Sequence, residues 1–203
     1  MVTSARPTEE LRQVLTAACA QTLPQASINF ELDKGDLIAT IKVAETLPFL
    51  TLCKESPDLA FNLLVDITAV DWMDQREERF EVVYQLLSLS NLWRLTIKVS
   101  LHEGKPEIAS ATPLWQGANF LEREVWDMFG IRFAGHPDLR RILMYEEFVG
   151  HPLRKDYPVQ AKQPRVPLRM PEVENTARRM MRPDLVTIRS RKPGSGAPEG
   201  EAR

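Results

Sequence analysis

The chain has 203 residues, 43% hydrophobic and 27% charged, with a formal net charge of −2. That is enough chain for one domain plus an appendage, and its balance is that of an ordinary globular protein with no overall field for nucleic acid or acidic membranes. Two cysteines, Cys19 and Cys53, not spaced as Cys-x-x-Cys, exclude a disulfide framework, a zinc ribbon and an iron–sulfur cradle, and fit a reducing compartment.

The N-terminal stretch MVTSARPTEELRQ carries no apolar h-region, so no secretory leader is expected. Helical spacing of Leu11, Val14, Leu15, Ala18 and Cys19 predicts a first helix, with Thr8 as its cap and Glu9 and Glu10 in the electropositive first turn. Pro24 ends it. The segments ASINFEL and DLIATIKV flank DKG, a hairpin in which Gly35 supplies the positive-φ position. TLPFLTLCKESPDL is a second, shorter helix with Pro48 tolerated near its start.

FNLLVDITAVDW, ERFEVVYQLLSLS and LWRLTIKVS are dense in β-branched and aliphatic residues and read as the central strands, the last two joined by a turn at Ser90-Asn91. In RLTIKVS, Leu95, Ile97 and Val99 alternate with Thr96, Lys98 and Ser100, the pattern of a half-buried strand. PLWQGANFLEREVWDMFG reads as a helix or a broken pair, with Phe120, Leu121, Val125, Met128 and Phe129 on its apolar side and Gly130 as its stop. The expected fold is α+β: a two-layer structure with a mostly antiparallel or mixed sheet, helices on one face, and an extended C-terminal segment. The expected organisation is a globular domain over 1–130, a docking segment over 131–160 and a basic, proline-rich tail over 161–203.

Charge is divided along the chain. Residues 1–120 sum to −6 and residues 121–203 to +4, which suggests either a docking surface or a solvated tail. Beyond residue 157, 7 of the 15 prolines accumulate among 10 Lys+Arg and 5 Asp+Glu. Such a segment cannot bury enough apolar surface to fold alone.

The tripeptide Gly-His-Pro occurs twice, at 135–137 and 150–152, and holds two of the three histidines. His136 and His151 are too few for a zinc site, and the proline after each favours a turn over a helical ligand pair. Glu122, Glu124 and Asp127 lie close in sequence to the histidines. Arg123 and Asp127, however, are spaced for pairing on a helix surface, and Glu122 and Glu124 do not face each other. The carboxylates therefore read as a structural ion-pair set. Phosphate-binding glycine loops are missing from the sequence, and the arginines of DLRRIL and TARRMMRP have no interleaved aromatics for nucleic acid. What remains is recognition. HPDLRRIL reads as a short helix presenting Arg140 and Arg141. HPLRKDYP reads as a rigid strip carrying Arg154, Lys155, Asp156 and Tyr157, fit either for an interface or for bracing its own domain.

The run ANFLEREVWDMFGIRFAGHPDLRRILMYEEFVGHPLRKDYP, residues 118–158, with LLVDITAVDW, RFEVVYQLLSL and LTIKVS upstream, resembles the C subunit (NuoC family) of NADH:quinone oxidoreductase, the bacterial respiratory complex I. The resemblance covers roughly residues 10–160. It departs from the family pattern at Gln85, where a histidine is expected, and at Phe120, where tryptophan is usual. It implies a component of the peripheral arm with no catalytic, cofactor-binding or metal-ligating residue of its own. FMN, iron–sulfur clusters and quinone would lie elsewhere in a complex that carries electrons from NADH to quinone and translocates protons. The implied partners are chiefly the D subunit, with the B and I subunits nearby. The implied place is the cytoplasmic side of the bacterial inner membrane, touched only through the complex. Glu122, Arg123, Asp127, His136, Arg140, Arg141, His151, Arg154, Lys155, Asp156 and Tyr157 form the implied interface. A homologous component of a membrane-bound hydrogenase-type complex, and a stand-alone metal-binding protein, are the alternatives.

Overall fold

A computed structural model describes residues 6–164. The chain divides into two units, Met1–Pro164 and Arg165–Arg203, so the expectation of an extended or disordered tail falls largely outside the described residues. Helix α1 spans Arg6–Thr22, strands β1 and β2 span Asn29–Asp33 and Asp36–Ile41, and helix α2 spans Thr46–Glu55. Strands β3, β4 and β5 follow at Leu63–Asp71, Phe80–Ser88 and Trp93–Leu101. Short strand β6 (Glu107–Ala109), helix α3 (Ala118–Phe129), short strand β7 (Arg132–Ala134) and a single 3-10 turn ahead of α2 (Val43–Glu45) complete the described elements.

The main sheet has the order β1-β2-β5-β4-β3. Its neighbours pair antiparallel except β2 and β5, which run parallel. The fold is thus α+β with a mixed sheet, as the sequence pattern predicts. Alternation puts Leu37, Ala39 and Ile41 of β2, Leu95, Ile97, Val99 and Leu101 of β5, and Phe80, Val82, Tyr84 and Leu86 of β4 into one buried core. The helices close that face. α1 contributes Leu11, Leu15 and Cys19, α2 contributes Phe49, Leu50 and Cys53, and α3 contributes Val125, Met128 and Phe129. Each fully buried large apolar side chain stabilises the fold by about 1.5–3 kcal/mol. In β3 the register shifts between Leu64 and Asp66. The extra residue there, Val65, is exposed, and both Leu64 and Ile67 join the core.

Three local expectations change. The helix starts at Arg6, ahead of Thr8. The Thr8 hydroxyl donates instead to the carbonyl of Gly35, 3.0 Å away in the β1–β2 turn, tying helix to hairpin. That turn has Lys34 at φ 53° and Gly35 at φ 97°, the pair of positive values a two-residue hairpin demands. Phe120 is 62% exposed. Adjacent residues on a helix diverge, so when Leu121 packs inward Phe120 turns out. HPDLRRIL does not form a helix, because Asp127 of α3 takes the N–H groups of Ile142 and Leu143 and so competes with a helical pattern there.

Candidate docking strap and its clamps

Helix α3 ends at Gly130, which adopts φ 76° and returns its N–H to the carbonyl of Trp126 at 2.8 Å. From there residues 135–157 run back over the helix as an irregular strap. Polar groups of α3 and of the sheet hold it.

Asp127 is the first clamp. It is fully buried. Its Oδ2 accepts the backbone N–H groups of Ile142, Leu143 and Met144 at 3.1, 2.9 and 2.9 Å. Its Oδ1 accepts Nη1 of Arg141 at 2.5 Å. Three successive N–H groups aimed at one oxygen form an anion nest, which is incompatible with the helical hydrogen-bond pattern the sequence suggests there. Burial pushes the Asp127 carboxyl up, but the Met144 N–H, Arg141 and the other donors outweigh it, and the group is held below its ordinary value. Arg123, spaced to pair with Asp127, does not do so. Its guanidinium donates to the carbonyls of Arg140 and Arg141 at 3.1 and 3.2 Å. The surface pair expected at these positions is replaced by a buried one because Asp127 faces the strap. Arg141, its side chain 12% exposed, also donates to the carbonyls of Phe148 and Gly150 at 2.9 and 3.0 Å. It lies over the rings of Trp126 and Phe148.

The doubled Gly-His-Pro braces the two ends of α3. His136 accepts the N–H of Asp138 on Nδ1 at 3.0 Å, so Nε2 carries the proton that it donates to the carbonyl of Asn119 at 3.1 Å, in the first turn. His151 donates Nδ1–H to the carbonyl of Asp127 at 2.9 Å, in the last turn. Burial is the main cause of its lowered pKa, with the charges of Arg154 and Arg141 acting the same way. The neighbouring carbonyls are covered too. Met128 accepts the N–H of Leu153 at 3.1 Å, and Phe129 accepts Nε of Arg154 at 2.5 Å. Side-chain and backbone donors of the strap thus satisfy carbonyls that a helix end leaves free. Gly130 makes this approach possible. A Cβ there would lie 2.6 Å from His151 and from Arg154.

The far end of the strap meets a third clamp that sequence reasoning misses. Buried Arg79, the residue just before β4, pairs with Asp71 of β3 through Nε–Oδ1 and Nη2–Oδ2, both 2.9 Å. The same guanidinium reaches Glu103 at 2.5 Å and Asp156 at 3.0 Å. Asp71 Oδ2 also takes the N–H of Lys155 at 2.8 Å. The Arg79 hydrogen bond is the main reason the Asp71 carboxyl drops to about 2. No local motif signals this set, since Asp71 and Lys155 lie 84 positions apart. Tyr157 stacks on Phe148, 5.9 Å between ring centres, and its hydroxyl meets the side-chain amide of Gln163. Arg140 pairs with exposed Asp138, at 2.9 Å, and the Lys155 side chain is exposed.

Glu122 lies apart from the strap. Fully buried, it accepts Oγ–H of Ser110 at 2.7 Å and the N–H of Ala111 at 2.6 Å. Burial pushes its carboxyl up to about 7.

Among the described residues, no group of three or more His, Cys, Asp or Glu could hold a metal ion, and no helix is long and apolar enough to cross a membrane. The two cysteines do not suit an iron–sulfur cluster. Cluster ligands are thiolates, usually four, whereas Cys19 and Cys53 lie in the core and burial pushes the Cys19 thiol up to about 11.

Residues 39–163 match the family model described as "Respiratory-chain NADH dehydrogenase, 30 Kd subunit". The chain is 45% identical over 141 residues to the NADH-quinone oxidoreductase C subunit of Roseiflexus sp. (strain RS-1), covering 70% of this chain and 80% of the relative. It is 49% identical over 128 residues to the corresponding protein of Trichlorobacter lovleyi, covering 63% and 78%. Among solved structures it resembles Nqo5 in a trypsin-resistant fragment (1-134), with a TM-score of 0.55, 37% identity, and coverage of 64% of this chain and 98% of that one. It also resembles a chain of the membrane-bound sulfane sulfur reductase, an archaeal respiratory membrane complex, with a TM-score of 0.60, 25% identity, and coverage of 74% and 87%. With the family model matching more than half of the chain and these C-subunit relatives 45–49% identical to it, the chain belongs to the 30 kDa subunit family of respiratory-chain NADH dehydrogenase, the NuoC family of NADH-quinone oxidoreductases.

Proposed function

We propose that this chain is a cofactor-free structural component of the peripheral arm of an NADH:quinone oxidoreductase, bracing neighbouring subunits rather than handling electrons. The observation that carries this reading is the exposed apolar set on a strap that is bonded from within. Arg141, Arg154 and several backbone N–H groups bond inward to α3, and Asp156 reaches Arg79, while Ile142, Leu143, Tyr145, Val149 and Leu153 stand exposed. Phe120 of α3 and Val149, 66% exposed, are large apolar surfaces. A row of such side chains on an irregular but internally bonded segment suits burial under another protein.

The partner we infer is chiefly the D subunit, with the B and I subunits adjacent. FMN, the iron–sulfur clusters and quinone belong to other parts of the complex, which as a whole couples electron transfer to proton translocation. Arg140 and Lys155, whose side chains remain outward, meet the partner at the rim of this patch. Arg123, Asp127, His136, Arg141, His151, Arg154, Asp156 and Tyr157 act on it by fixing the strap. Glu122 acts more remotely, through α3. The chain sits on the cytoplasmic side of the inner membrane and reaches the bilayer only through the complex. The likeness to a chain of the sulfane sulfur reductase complex favours a second reading, a component of a related membrane-bound assembly of the hydrogenase type.

Affinity purification of the tagged chain from detergent-solubilised membranes, followed by mass spectrometry, separates these. Flavin, iron–sulfur and quinone-site subunits recovered together support the first reading. Hydrogenase-type subunits support the second. Recovery of the chain alone overturns both.

A further inference from the structure

Glu122 is a fully buried carboxyl that makes no ion pair among the described residues. What it has instead is a chain of hydroxyls. Its Oε2 is 2.7 Å from Ser110 Oγ, and Ser110 Oγ is 2.8 Å from Thr112 Oγ1, either of which could be the donor. Thr112 is only partly buried, so the row leads from the core toward the surface. The Ser110 hydroxyl also accepts the N–H of Thr112 at 3.1 Å, which fixes its position between the two.

Such a row has two self-consistent arrangements. With Glu122 ionised, Ser110 donates to the carboxylate. With Glu122 protonated, the carboxylic acid donates to Ser110 Oγ, and Ser110 donates on to Thr112. We propose that Glu122 is a proton-binding site of this protein, loaded and unloaded through the Ser110 and Thr112 hydroxyls. On unloading, the Glu122 O–H bond breaks as its proton passes to Ser110 Oγ. The Ser110 proton passes to Thr112, and the Thr112 proton to water. The row ends with the same number of hydroxyl protons, and the carboxylate holds the negative charge.

The surroundings favour retention of the proton near neutral pH. From β4 the Tyr84 hydroxyl is buried and has no hydrogen-bond partner among the described residues, and the charge of Glu122 adds to burial in raising its pKa. From the 110–112 turn come the Ser110 and Thr112 hydroxyls and the N–H of Ala111, which donates to Oε1 at 2.6 Å and favours the ionised form. From α2 the Lys54 ammonium lies over the Trp115 ring at 5.4 Å. Burial is the dominant influence on the carboxyl, so ionisation is opposed by lost solvation.

The test is an infrared titration of the purified full chain, following the C=O stretch of protonated carboxyls between pH 5 and 9. The expected result is a band that persists at neutral pH in the wild type, is lost with a midpoint near 7, and is missing from Glu122→Gln. Ser110→Ala, which removes a donor to the carboxylate, moves that midpoint upward and serves where Glu122→Gln fails to fold. All carboxyl intensity gone by pH 6 in the wild type, or a midpoint that Ser110→Ala leaves unmoved, overturns the proposal.

Discussion

Asp127→Asn is nearly isosteric, yet it should release the strap. The carboxylate receives donors on both oxygens: three backbone N–H groups on Oδ2 and the Arg141 guanidinium on Oδ1. An asparagine offers one oxygen and one N–H2. With its oxygen toward Ile142, Leu143 and Met144, its N–H2 faces Nη1 of Arg141, donor against donor. Flipped, it faces three N–H groups instead. Arg141 also loses the counter-charge that compensates its burial. Breaking one side of a buried pair costs about 3–5 kcal/mol, and a hydrogen bond to a charged group contributes about 1.5–3 kcal/mol. These overlap, so the expected loss is about 3–5 kcal/mol, or about 6–20 °C in Tm for a unit of this size. The assays are urea denaturation and limited proteolysis, with new cleavage expected between Tyr145 and Leu153 under native conditions. A loss below about 1 kcal/mol with the strap uncut would refute the idea that Asp127 organises it.

Gly130→Ala should destabilise by roughly 2–4 kcal/mol, from about 1–2 kcal/mol for a side chain at positive φ and the remainder from displaced hydrogen bonds of His151 and Arg154; an unchanged urea midpoint would count against the close approach. Glu122 gives a pH effect of defined sign. Its folded-state carboxyl lies at about 7 against an ordinary value of 4.5, so its contribution is fully present below the unfolded value and is lost as pH rises through the window up to about 7; denaturation midpoints of Glu122→Gln should be flatter across that window than those of the wild type. Asp71 has the opposite sign. Held at about 2 against 3.8, it stabilises above the unfolded value and loses that contribution as pH falls toward 2, an effect Asp71→Asn removes from an acid titration followed by circular dichroism. Phe120→Ser touches an exposed ring, so stability should stay within about 0.5 kcal/mol, while recovery of partner subunits in the affinity experiment drops; unchanged recovery would remove Phe120 from the interface.

The body was legible in the sequence because its signals are local. The alternation of Leu95, Ile97 and Val99, the spacing of Leu11, Leu15 and Cys19, and the Lys34-Gly35 turn each specify an element within a dozen residues, and each element forms. Proline after His136 and His151 correctly points to turns. The clamps were not legible, for a physical reason. The i, i+4 rule pairs Arg123 with Asp127 because helix geometry alone brings them together, but tertiary burial offers Asp127 a partner 14 positions away, in a site closed to water. Arg79 and Asp156, 77 positions apart, are neighbours only because β3 and β4 pair and the strap returns to their ends. Phe120 fails in another way. Periodicity gives it and Leu121 similar claims on the core, and only the helix's rotation against β3 decides between them.

The strap also shows how a segment without regular structure is held in place by a few charged side chains. Without a ladder of its own, its backbone groups require partners, and the buried ones must find them or incur about 1–3 kcal/mol each. Asp127 supplies three acceptor contacts to N–H groups, Arg141 supplies donors to the carbonyls of Phe148 and Gly150, and Asp71 accepts the N–H of Lys155. Charged side chains do for the strap what neighbouring strands do for a sheet. With much of its backbone bonded from within, the strap leaves Leu143, Val149 and Leu153 outside, beside exposed charged side chains such as Arg140 and Lys155. On the proposed reading, a partner meets a segment already held in place by internal bonds, so little ordering entropy remains to oppose docking.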